Sequence, residues 1–171
     1  MIGEEDRKQR AFNKLTRLML SIHDFEQSRS AATFLLEEVD DAAKYSLAEM
    51  RRFRCFETAM VVAYARPFSM AKGEVGPLTW NDTKLAPSAE DTGIHKKIIE
   101  HRNTIYGHSD AGSVRMKVWI MHQTSSGKDV GMVFPQFDEH MRFSLSEINA
   151  VHELTLKLIY ALDRPPGGGP G

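Results

Sequence analysis

The chain has 171 residues, 42% of them hydrophobic and 26% charged, with a net charge of −1. That length supports one sizeable core, since a domain takes about 100 to 200 residues. The composition excludes an integral membrane protein, because nowhere do about 18 apolar residues follow one another, and the charge excludes a surface that is basic throughout.

The N-terminus, MIGEEDRKQR, carries both signs of charge and no apolar segment of the secretory kind, and the single Cys55 has no partner for an internal disulfide. Cytoplasm is the expected compartment. Phe12, Leu15, Leu18, Ile22 and Phe25 are three and four apart, which predicts a helix from about Glu5 to Glu26 with that stripe in the core. After Gln27-Ser28-Arg29-Ser30 the apolar period resumes with Leu35, Leu36, Val39 and Ala43, then with Leu47, Met50, Phe53, Met60, Val61 and Tyr64, and it stops at Pro67. A break is expected near Asp40-Asp41, which are poor helix formers. Cys55 sits in this mostly apolar helix and reads as core.

Residues 67–87 hold Gly73, Gly76, Pro77, Asn81 and Asp82 with no sustained period, so they read as a long loop. Trp80 within it can stack on a base or pack locally. Ser88 and Asp91 have capping-box spacing and lead into a helix with Ile94, Ile98 and Ile105 on its buried face, ended by Gly107. From Val114 to Met121 apolar and polar residues alternate, a turn signal follows at Ser125-Ser126-Gly127-Lys128, and Val130 to Phe134 can return, so a β-hairpin over about 114–134 is expected. Trp119 lies on its outward face. The last helix starts at Ser144 with Glu147 three residues on and Phe143 set against Ile148, and its core stripe is Ile148, Val151, Leu154, Leu158 and Leu162. Pro165-Pro166 end it, leaving residues 164–171 as a disordered Pro/Gly tail. The fold class is thus mainly α: a single domain over 1–163, a bundle of four to five helices with an inserted hairpin.

Residues 96–110, KKIIEHRNTIYGHSD, gather imidazoles, a guanidinium, an amide and a carboxylate at one helix end. An uninterrupted helix leaves Arg102 and His108 about 120° apart. Gly107 can close the helix and swing His108 back. Arg102-Asn103 followed by His108 resembles the motif of the HEPN family, an Arg, a polar neighbour and a His four to six residues on, and RNTIYGHSD is similar to that segment of abortive-infection-type members. The helix with FETAMVVAYARPF, residues 56–68, fits the one packed before the motif. The hairpin departs from the minimal HEPN core.

The resemblance implies a metal-independent endoribonuclease, often a toxin or antiviral defence protein with a cognate antitoxin, acting as a homodimer with its two motifs face to face. It needs no cofactor. RNA cleavage by the 2′-hydroxyl requires a group of near-neutral pKa and a cation on the phosphate oxygens. His108 would transfer the proton, Arg102 clamp the phosphate, and Asn103 orient one of them or bind a phosphate. Lys96, Lys97, His101, Arg51 and Arg52 are the candidate RNA contacts; solvated helix faces are their plainer reading. An Arg-Asn pair and a His after a Gly also suit a helix cap, and a noncatalytic RNA-binding or interaction module is the first alternative. A metal-dependent bundle using His23, His122, His140 or His152 is the second, although His95, His101 and His108 lack the three- or four-residue spacing of a helical zinc pair.

Overall fold

A computed structural model describes residues 3–69, 76–106, 114–123, 128–137 and 140–163, with the backbone alone between 105 and 137. The chain is mainly helical. Helix α1 spans Glu4–Glu38, α2 Leu47–Ala65, the short α3 Trp80–Thr83, α4 Ala89–His101 and α5 Leu145–Asp163. Two segments, β1 (Val114–Gln123) and β2 (Lys128–Phe137), pair antiparallel from Val114 opposite Phe137 to Gln123 opposite Lys128. Among the described residues no helix is long and apolar enough to cross a membrane.

The break expected near Asp40 is present, and α2 is capped by Ser46, whose hydroxyl accepts the Glu49 amide while Glu49 accepts the Ser46 amide. The break expected at residues 27–30 is absent. Ser28 is fully buried there and donates to the carbonyl oxygen of Met60 at 2.9 Å, so a small polar residue lets α1 and α2 approach closely without interrupting the helix. A second correction concerns the stripe on α1. Phe25 is buried, but Phe12 and Leu15 are 64% and 56% exposed. At 100° per residue Phe12 stands about 140° and Leu15 about 80° around α1 from Phe25, so the run of threes and fours has drifted off the core-facing side, which here carries the half-buried Arg17 and Leu18. Cys55 is also exposed rather than core.

α1 packs along α2 and α5, and α4 packs on the same two helices. The core between them contains Phe25, Leu35, Phe53, Met60, Tyr64 and Ile98, together with the expected stripe of α5, Ile148, Val151, Leu154, Leu158 and Leu162. In the 67–87 segment, α3 interrupts the expected loop and Trp80 packs inward, its ring 5.9 Å from Phe68 and 5.0 Å from His95. The two capping boxes expected from the sequence are present, and two that it did not reveal stand at Ser46 with Glu49 and Thr79 with Asp82. Ser88 exchanges bonds with Asp91 at 3.0 Å each way, and Ser144 with Glu147 at 2.9 and 3.3 Å. The proposed helix end at Gly107 and the tail 164–171 lie outside the described residues.

Candidate functional site

Past His101 the helix does not stop but widens into one π-helical turn, Arg102–Tyr106. Such a turn inserts a residue and resets which side chains share a face, so the separation calculated for a regular helix no longer applies beyond Arg102. Arg102 is half-buried and its Nη1 donates to the side-chain oxygen of the exposed Asn103 at 3.0 Å. Thr104 donates to the Glu100 carbonyl at 2.9 Å. The structure therefore brings Arg102 and Asn103 together; His108 lies outside the described residues.

Beside this turn sits a polar group that sequence reasoning missed. Glu57 of α2 is fully buried, and its Oε1 accepts the amides of Arg142, at 2.6 Å, and Phe143, at 2.9 Å. Its signal in the sequence was a lone carboxylate in the apolar run of α2. The His101 ring faces the same place, 5.2 Å from the Phe143 ring, with Nδ1 buried and without a hydrogen-bond partner. Burial, reinforced by the Lys97 charge, lowers the His101 pKa against the opposing pull of Glu100 and Glu57.

The basic candidates divide by how far the fold already uses them. Lys97 donates to Glu147 at 2.6 Å and to the Arg142 carbonyl at 3.2 Å, and lies over the Phe143 ring, 4.6 Å from its centroid. Burial raises the Glu147 carboxyl, but the bonds from Lys97 and Ser144 outweigh it and hold it below its ordinary value. Arg52 pairs with Glu38. Lys96 and Arg51 are exposed. Tyr64 meets His95 while Glu57 lies near His101, so α2 and α4 run antiparallel and the Arg51 end of α2 is turned toward the Arg102 end of α4.

In the middle of α4, His95 shares a 3.0 Å hydrogen bond with the Tyr64 hydroxyl and is boxed by Phe68 and Trp80; burial lowers its pKa. Among the described residues no three His, Cys, Asp or Glu side chains are grouped to hold a metal ion.

No protein-family model and no solved structure matches the chain. It is similar to NADH-cytochrome b5 reductase 2 of Rattus norvegicus, 30% identical over 105 residues that cover 57% of this chain and 37% of that protein. The chain thus spans little over a third of the curated relative.

Proposed function

We propose that the protein is a metal-independent endoribonuclease of HEPN type, a helical bundle with an inserted hairpin, acting as a toxin or in antiviral defence and held in check by a cognate antitoxin. The observation that supports this reading is the pairing of Arg102 with Asn103 on a widened turn at the end of α4, where a guanidinium is oriented beside solvent. In the reaction the 2′-oxygen bonds to the adjacent phosphorus and the bond from phosphorus to the 5′-oxygen breaks. His108 takes the 2′-hydroxyl proton, and a proton is returned to the departing 5′-oxygen. Arg102 binds the phosphate oxygens as charge accumulates on them, and Asn103 holds the guanidinium plane. In a homodimer a second His108 and Arg102 join the site.

The test is cleavage of a mixed tRNA and mRNA pool in EDTA by the wild type, Arg102→Ala and His108→Ala. Cutting by the wild type alone, with both variants folded, supports the proposal. No cutting, or cutting by the variants as well, overturns it. The second reading is a noncatalytic interaction module, favoured by the apolar side chains that α1 leaves exposed, Phe12, Leu15, Met19 and Leu20.

A further inference from the structure

Helix α1 presents one solvent-facing side along nearly its whole length. Lys8, Phe12, Leu15 and Met19 follow at steps of four, three and four, and all are exposed, the three apolar ones by 56 to 64%. The same face continues through His23, Glu26 and Ser30 to Phe34, 49% exposed, and Glu37. Steps of three and four keep all of these on one side of the helix. Single exposed apolar residues need no explanation, whereas a continuous stripe marks a contact surface.

Two pairs of residues on this face are placed about symmetrically around His23. Phe12 and Phe34 stand eleven residues to either side of it, and Lys8 and Glu37 stand fifteen and fourteen to either side, with opposite charges. Beside Phe34 an open cleft of about 730 Å³ runs between α1 and α2, bordered by Ala31, Cys55, Phe56 and Ala59, and the Phe34 and Phe56 rings stack at 5.3 Å.

We infer that this face binds a second copy of the chain, with the two α1 helices antiparallel and the two-fold axis at His23. Phe12 then enters the partner's cleft against the partner's Phe34, and Lys8 meets the partner's Glu37. Each contact occurs twice, as a closed two-fold interface requires. A membrane surface fits less well, because burying the stripe would carry Glu26 and Glu37 toward hydrocarbon. α4 packs on α2 and α5 rather than along this face. The contact is therefore separate from one that would set two Arg102 motifs face to face, and it does not depend on RNA cleavage.

The solution mass of the full chain, by light scattering or sedimentation at micromolar concentration, tests it. Paired through this face alone the wild type has twice the monomer mass, and paired through the Arg102 motifs as well it has four times; in either case Phe12→Glu with Met19→Glu should halve the mass with unchanged helical circular dichroism, both residues being exposed. Lys8→Glu and Glu37→Lys should each weaken the dimer several-fold, and the two together restore it. In a Cys55→Ser background, a short bis-maleimide should link chains through His23→Cys and fail through Glu37→Cys, whose copies would be about 42 Å apart along the axis. A monomeric wild type, a dimer indifferent to the Glu substitutions, or crosslinking at 37 would each overturn the assignment.

Discussion

Glu57 and Phe143 are 86 residues apart, yet one carboxylate oxygen of Glu57 accepts the Phe143 amide at 2.9 Å inside the bundle. The same oxygen takes the Arg142 amide at 2.6 Å, so α2 fixes the chain where it enters α5. Phe143 is thereby held against the core, under the Lys97 ammonium and beside the His101 ring.

Removing that acceptor leaves two backbone donors unsatisfied in the interior. Glu57→Ala should lower the unfolding free energy by about 2 to 4 kcal/mol, and Glu57→Gln, which keeps an oxygen, by clearly less. Urea titration followed by circular dichroism measures both. Equal losses for the two variants would mean that the side chain acts by volume rather than by accepting these amides.

His95 makes stability depend on pH in a definite direction. Its folded pKa lies below its unfolded value of 6.5 because burial disfavours the imidazolium. The unfolded chain therefore takes up the proton first, and stability present above pH 6.5 is lost progressively as pH falls toward the folded pKa. The Tyr64 hydroxyl, pushed up by burial and then by Asp91, stays protonated throughout. Thermal unfolding midpoints measured from pH 7.5 to 5 should fall for the wild type and fall less for His95→Phe. An unchanged slope would exclude His95 as the source.

Asp91 and Glu147 act lower on the pH scale. Burial raises both carboxyls, but Lys157 and Ser88 on the first, and Lys97 and Ser144 on the second, hold their pKa values below 3.8 and 4.5. A depressed carboxylate stabilises above its unfolded pKa and ceases to as pH falls through the folded one. Acid unfolding should therefore steepen below about pH 4.5, and Asp91→Asn with Glu147→Gln should flatten that limb in an acid titration monitored by fluorescence.

The elements legible in the sequence are those set by local chemistry. Ser88 with Asp91 and Ser144 with Glu147 announce their helices because a capping box closes within four residues. What covers a helix face is a long-range property. Phe12 and Leu15 sit in the same run of threes and fours as Phe25, but which side of α1 meets α2 and α5 is set by the packed helices, and it is the side of Phe25, about 140° around from Phe12. Ser28 looked like a loop residue for the same reason, since its partner, the Met60 carbonyl, is 32 positions away. At the candidate site the Arg102-Asn103 pair was readable as a motif, whereas the π-helical turn beneath it and the buried Glu57 beside it depend on contacts between helices.

Lys96 and Lys97 are neighbours in sequence with opposite expected behaviour, and they separate folding from RNA contact. Lys97 is committed to Glu147, the Arg142 carbonyl and the Phe143 ring. Its replacement by Ala should reduce stability by about 1 to 2 kcal/mol, from a half-buried ion pair and a cation over a ring. Lys96 projects from the exposed side of α4. If RNA lies along the Arg102 end of that helix, Lys96→Ala should leave the unfolding midpoint unchanged while weakening binding to a single-stranded oligonucleotide and lowering the slope of log affinity against log salt by about one. Fluorescence anisotropy at several salt concentrations gives that slope. An unchanged slope with Lys96→Ala would place the phosphate path away from this face and leave Arg51, at the end of α2 turned toward Arg102, as the basic contact to replace next.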